Sequence, residues 1–299
     1  MENFVIITSF LVIGIALQYI PDFSQETGSV LNLFVIYISL PALILLKIPE
    51  LVFSRELLVT AIMPWSMLLF SAGLILILAR ILKWGRPTTG CLLLLIPLGN
   101  TSFLGLPMVK AFFGEQAIPY ALLYDQLGTF LAFATYGSLV LAIYGTKGKK
   151  PTVKSVIKKI ILLPPFIALL LAFILRPFPY PPTAIKLLDI LASTLVPVVM
   201  VAVGFQLKLR LNKKVTSQLF IGLAIKLIVT PLAALFLCKM AGLNGEAVRV
   251  SIFESGMPPM VSAGALAILA DLAPTLAAAL VGLGIVLSFA TLPLLFQML

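Results

Sequence analysis

The 299-residue chain has no histidine and only two cysteines. The commonest general base and metal ligand is therefore missing, and neither a disulfide framework nor a Cys/His metal site can be built. Cys91 and Cys238 sit in apolar surroundings and read as small hydrophobes. Charge is also scarce: 11% of residues are Asp, Glu, Lys or Arg, against 61% hydrophobic ones. That leaves too little polar surface to keep such a chain in water. Acidic residues are the rarer sign, 11 against 21 basic, for a net charge of +10. In a soluble protein the excess would suggest nucleic acid, but here the Lys and Arg gather in short loops between apolar runs, which is the signature of membrane topology. No nucleophile motif, Gly-rich phosphate loop or paired catalytic carboxylates can be found, so no enzyme, cofactor or metal is expected. The opening Met1-Glu-Asn-Phe lacks the basic start and small-residue cleavage site of a signal peptide, so the first run is expected to stay as a helix.

What is present is a series of apolar runs of about 20 residues, the length of a spanning helix, without the alternation of a membrane barrel. The fold class is an all-α membrane protein. Ten transmembrane helices are expected: Phe4 to Ile20, Ser29 to Ile48, Leu57 to Leu82, Thr89 to Phe113, Ile118 to Tyr144, Val156 to Leu175, Ala184 to Leu207, Ser217 to Met240, Ala247 to Asp271, and the remainder to Leu299. A basic linker, 146–155, divides a first five-helix repeat (1–145) from a second (156–299). With the linker in the cytoplasm, thirteen Lys and Arg fall on that side, in the loops around Lys83, Lys150 and Lys213, and seven fall outside; Lys226 lies within a span. Both termini are then extracytoplasmic, and the membrane is a plasma membrane or a bacterial inner membrane. Five spans on each side of the linker give halves of opposite orientation. Landmarks recur in order: Pro41 and Pro197, Pro64 and Pro231, and Pro107-Met-Val109 against Pro259-Met-Val261. This is the pattern of an inverted repeat.

Two runs carry what a helix in lipid should avoid. Ile96-Pro-Leu-Gly-Asn-Thr-Ser-Phe-Leu-Gly-Leu-Pro107 and Glu254-Ser-Gly-Met-Pro-Pro259 break spans four and nine at Pro97, Pro107, Pro258 and Pro259. Irregular backbone at that depth is tolerated only where protein or a wet cavity covers it. In inverted-repeat carriers such half-helices cross at mid-membrane, and their positive N-terminal ends suit an anion. Asn100, Thr101 and Ser102 are good N-cap types for one half-helix, and Pro259 fits the first position of the other. Ser255 and Gly256 complete the expected binding set. A simple kink is the alternative at either break alone.

Ionisable residues deep in a span are functional candidates. Asp189 lies near a helix start, where interfacial water can solvate it. Asp125, Lys226 and Glu254 lie deeper. Glu254 directly precedes the second break and can take up and release a proton beside a substrate. A structural ion pair of Lys226 with Glu254 or with Asp125 is the competing reading.

The stretch Gly99-Asn-Thr-Ser-Phe-Leu-Gly-Leu-Pro-Met-Val-Lys-Ala-Phe-Phe-Gly114 resembles the fourth-helix motif of the auxin efflux carrier family. That family includes the plant PIN-FORMED exporters and bacterial malate and malonate permeases, within the bile acid, arsenite and riboflavin transporter superfamily. The resemblance implies an elevator-type secondary transporter of a small organic anion, such as a mono- or dicarboxylate or an auxin-like acid. Spans 1, 2, 6 and 7 would form a scaffold, and spans 3–5 and 8–10 a transport domain. It further implies substrate binding by Asn100 and Gln126 and a conserved charge type at Lys226, and it is compatible with a homodimer through the scaffold spans. The chain departs from the plant pattern at Gly99, where those carriers have Pro, at Glu254-Ser-Gly256, where they have Pro-Gln-Gly, and in its short central loop. The added carboxylate points to proton coupling. A sodium-coupled carrier of bile-acid type and a membrane sensor that binds without translocating are the rivals; the expected partners are the organic acid and lipid. The orientation predicts that Lys150→Cys in otherwise cysteine-free protein is labelled by an impermeant maleimide only after the membrane is opened. Labelling from outside intact cells would invert the topology.

Overall fold

The computed structural model describes residues 2–51, 57–145, 154, 160–207 and 216–299. Most of the linker 146–155, the start of the expected sixth span, the basic loop from Lys208 to Lys214 and Arg55 lie outside the described residues. Among the described residues the chain is all helical. In order, the helices are α1 (Glu2–Leu17), α2 (Thr27–Lys47), α3 (Leu57–Ile81), α4 (Arg86–Leu95), α5 (Thr101–Phe113), α6 (Glu115–Tyr144), α7 (Pro164–Leu175), α8 (Pro182–Gln206), α9 (Thr216–Met240), α10 (Glu246–Ser255), α11 (Val261–Leu269) and α12 (Pro274–Met298). Six of them, α2, α3, α6, α8, α9 and α12, are long and apolar enough to cross a bilayer unaided. Bulky apolar side chains stand exposed along their outer faces, such as Leu58, Leu69 and Ile77 on α3 and Phe220 and Phe236 on α9. Lipid, not water, is the solvent such a surface fits.

Proline shapes these helices without ending them. Its ring clashes with the carbonyl four residues back and its missing N–H frees an acceptor, which favours a locally widened turn. Such π-helical turns occupy Val35–Ser39, Thr101–Gly105 and Ile225–Val229, each just before Pro41, Pro107 and Pro231. Two more, Tyr124–Phe130 and Phe133–Gly137, widen α6 where no proline requires it, and the first carries Asp125 and Gln126.

The contacts are densest within two sets of helices, which also pack on each other where α5 rests on α1 and α8. Helix α1 lies along α8, and α2 packs on α7 and α8. The second set joins α3 to α6 and α10, α4 to α6 and α12, and α12 to α9 and α11. At the α1–α8 crossing, Gly14 faces the Val201 carbonyl, and Gly204 faces the Leu11 carbonyl and the Gly14 Cα. Backbone meets backbone there, the close approach that small residues permit between membrane helices. A Cβ at Gly204 would overlap the Leu11 carbonyl, whereas one at Gly73 would meet nothing. Gly204→Val is expected to lower stability by about 1–3 kcal/mol through overpacking, while Gly73→Ala leaves it equal or raised by about 1 kcal/mol through helix propensity. Melting of the detergent-solubilised protein checks the pair.

Candidate functional site

Between α4 and α5 and between α10 and α11 the chain leaves the helix, and the two breaks cross. Gly99 and Pro259 pair as an antiparallel bridge. The Asn100 N–H donates to the Pro258 carbonyl at 2.8 Å, and the Met260 N–H donates to the Leu98 carbonyl at 3.0 Å. Pro97, Pro258 and Pro259 supply the breaks, and each break satisfies the backbone of the other. Two expectations need correction. Helix α11 begins at Val261 with Met260 at its cap, so Pro259 lies before the helix and not at its first position. The extended backbone imposed by two successive prolines is what pairs with Gly99. Pro107 meanwhile lies inside α5, so the Pro-Met-Val landmarks do not occupy matching places.

Asn100 occupies the cap position of α5, yet its side chain makes no capping bond, and its Nδ2 is buried without a partner. The two residues after it are engaged by α6. Thr101 Oγ1 and Ser102 Oγ donate to Asp125 Oδ1 at 2.5 and 2.6 Å, and Gln126 Nε2 donates to Asp125 Oδ2 at 2.7 Å. Asp125 is fully buried, and these three donors satisfy both of its oxygens. It thereby fixes the start of α5 and turns the Gln126 amide so that Oε1 is left free; that atom is also buried without a partner.

A cavity of about 210 Å³ lies against the crossover, lined by Asn100, Ser102, Gln126, Met260 and Ser262, with Phe103, Phe130 and Phe133, and bordered by Ile36, Leu40, Leu163 and Pro165. It contains Asn100, Ser102 and Gln126 of the expected substrate set. Thr101 and Ser255 instead line a separate cavity of about 10 Å³ with Pro97, Gly99, Lys226 and Glu254, roughly the space of one water. Gly256 caps α10 and lines neither cavity. Gln126, Phe130 and Phe133 follow one another at i, i+4 and i+7, so the two phenyl rings were readable as neighbours of Gln126 on one helix face. Met260 and Ser262 carry no such signal; only the register of the crossover brings them in.

On the small cavity, Lys226 Nζ donates to the Ser255 carbonyl at 3.3 Å. Lys226 is buried and forms no ion pair within 4.0 Å with Glu254 or Asp125 among the described residues, although Glu254 lines the same small cavity. Glu254 is fully buried, and neither of its carboxylate oxygens has a hydrogen-bond partner. The carboxylate lies against Gly105, where any Cβ would overlap it. Asp189 is exposed on α8, as its place near a helix start suggests.

The model of the family described as membrane transport protein matches residues 1–296. An uncharacterized transporter of Methanocaldococcus jannaschii is 30% identical over 268 residues, which cover 86% of this chain and 85% of that protein. An uncharacterized transporter of Methanothermobacter thermautotrophicus is 26% identical over 296 residues, covering 98% and 96%. With a match over nearly its whole length, and with the Gly99 to Gly114 motif at its crossover, the chain belongs to the membrane transport protein family, that of the auxin efflux carriers.

Proposed function

We propose that the protein is a secondary active transporter that binds a small organic anion in the crossover cavity. The observation that carries this reading is the pair of buried, unpartnered amide atoms, Asn100 Nδ2 and Gln126 Oε1, on residues that line a cavity of about 210 Å³. An unsatisfied buried polar atom costs about 1–3 kcal/mol, and a ligand that pairs with it recovers that energy. Asn100 Nδ2 and the first-turn N–H groups of α5 and α11 donate to a carboxylate. Gln126 Oε1 accepts from a substrate N–H or O–H.

Ten spans in two inverted halves make sense of the helix bounds. Arg86–Leu95 and Glu246–Ser255 are each ten residues long and start 246 − 86 = 160 apart; α5 and α11 start 261 − 101 = 160 apart. Helices α3 and α9 start 216 − 57 = 159 apart, and α6 and α12 start 274 − 115 = 159 apart. The set of α1, α2, α7 and α8 then forms a scaffold, and the other helices a moving transport domain. Clefts related by the repeat differ in size. A cleft of about 440 Å³ opens beside Val203, Ala265 and Ala278, whereas the matching place at Leu43, Leu106 and Ile118 holds about 20 Å³. Lys110 and Glu115 on this narrow side pair at 2.5 Å, and Lys47 of the scaffold reaches Glu115 at 3.9 Å. One side open and its counterpart closed is the geometry that alternating access requires. With the linker in the cytoplasm, the open side is cytoplasmic and both termini are outside.

Glu254 is the coupling group of this reading. Its unpartnered carboxylate beside a water-sized space can exchange a proton as the transport domain moves. Asn100→Ala is expected to weaken carboxylate binding by about tenfold or more with melting of the free protein unchanged; intact uptake in proteoliposomes would remove the crossover from the transport path. Glu254→Gln is expected to keep exchange of substrate across the membrane while losing acceleration by a pH gradient. Flux in the mutant that still follows the proton gradient, or wild-type flux that follows sodium instead, would take Glu254 out of the coupling role.

A further inference from the structure

The hydrogen bonds of the crossover define a local two-fold relation. Exchanging Leu98 with Pro258, Gly99 with Pro259 and Asn100 with Met260 turns one bond, Asn100 N–H to Pro258 carbonyl, into the other, Met260 N–H to Leu98 carbonyl. Two residues further, Ser102 corresponds to Ser262. Asn100, Met260, Ser102 and Ser262 all line the same cavity. The serines match, but the residues at the two caps do not. One arm presents an amide with a free donor, and the other presents a thioether that is 9% exposed and offers no hydrogen to donate.

The consequence is a cavity with a free amide donor on one arm of the crossover and, on the other, only the Ser262 hydroxyl beside the start of α11. Among the described residues no cationic side chain lines it, and beyond the crossover its walls are Phe103, Phe130, Phe133 and aliphatic groups. Gln126 has one of its two Nε2 hydrogens held by Asp125, so a single N–H remains to it. A second carboxylate on the substrate would find no second free amide on the arms of the crossover and no cation among the described lining residues, and beyond the crossover an ionised group is strongly disfavoured among apolar walls. We propose that Met260 is a specificity-determining residue that restricts the site to acids with a single carboxylate, by standing where the two-fold relation would otherwise place a second amide. Replacing it with an amide side chain supplies a second amide donor on that arm. This rests on the cavity being the substrate site.

The test uses purified protein at neutral pH and two acids of equal length, hexanoate and adipate, with binding read by calorimetry and by the rise in melting temperature. Wild type is expected to bind hexanoate at least about tenfold more tightly than adipate. Met260→Asn should reduce that ratio by about tenfold, Met260→Gln should shift it in the same direction, and Met260→Leu should retain it. Equal wild-type affinities for the two acids would overturn the proposal, as would an unchanged ratio in a folded Met260→Asn or Met260→Gln variant. If neither amide variant folds, the wild-type ratio alone decides. Failure of the underlying reading looks different: neither acid binds, or hexanoate binds undiminished to Asn100→Ala. Loss of hexanoate binding in Asn100→Ala together with equal wild-type affinities would keep the site and discard the role of Met260.

Discussion

Two backbone hydrogen bonds, Asn100 N–H to the Pro258 carbonyl and Met260 N–H to the Leu98 carbonyl, are the constraint on which the rest of the site depends. A chain that leaves the helix inside a bilayer exposes peptide groups that lipid cannot satisfy, at several kcal/mol each. Pairing one break with another satisfies both at once. It also aims two helix N-termini at one region and brings residues more than 150 positions apart in the chain to a single cavity. The prolines thus have a constructive role: Pro97 turns the chain out of α4, and Pro258 and Pro259 hold the backbone extended so that it has a partner to find.

Around that pair, polar side chains are either fully committed or left free, and the division is informative. Asp125 takes three donors, from Thr101, Ser102 and Gln126, and so ties α5 to α6 on one side of the crossover. Lys226 is tied to the Ser255 carbonyl on the other. Asn100 Nδ2, Gln126 Oε1 and both oxygens of Glu254 are buried with no partner. Committed groups hold the frame, and the free ones are where a substrate or a proton can be exchanged without dismantling it.

Much of the fold was legible in the sequence because lipid imposes a simple rule: long apolar runs with basic loops between them. The breaks were legible for the same reason, since Pro and Gly at such depth need an explanation. Register was not. Pro107-Met-Val109 and Pro259-Met-Val261 look alike as strings, yet the first lies within α5 and the second begins in the break; what pairs is Gly99 with Pro259, which share no side-chain feature. Asn100 does stand at the cap position that its propensity suggests, but it makes no capping bond, and its amide is left free. Among the described residues Lys226 makes no ion pair within 4.0 Å; its ammonium donates to the Ser255 carbonyl and shares a small cavity with Glu254. By contrast, Phe130 and Phe133 could have been found from Gln126 by helical periodicity alone.

The transport reading turns on whether an organic anion occupies the cavity beside Asn100. An experimental structure of the protein with hexanoate, solved in a lipid nanodisc, tests this most directly. The account predicts the carboxylate within hydrogen-bonding distance of Asn100 Nδ2 and the alkyl chain between Met260 and Phe133, with the space beside Glu254 and Lys226 free of ligand. Carboxylate density against Lys226, or none at the crossover under saturating ligand, would contradict it.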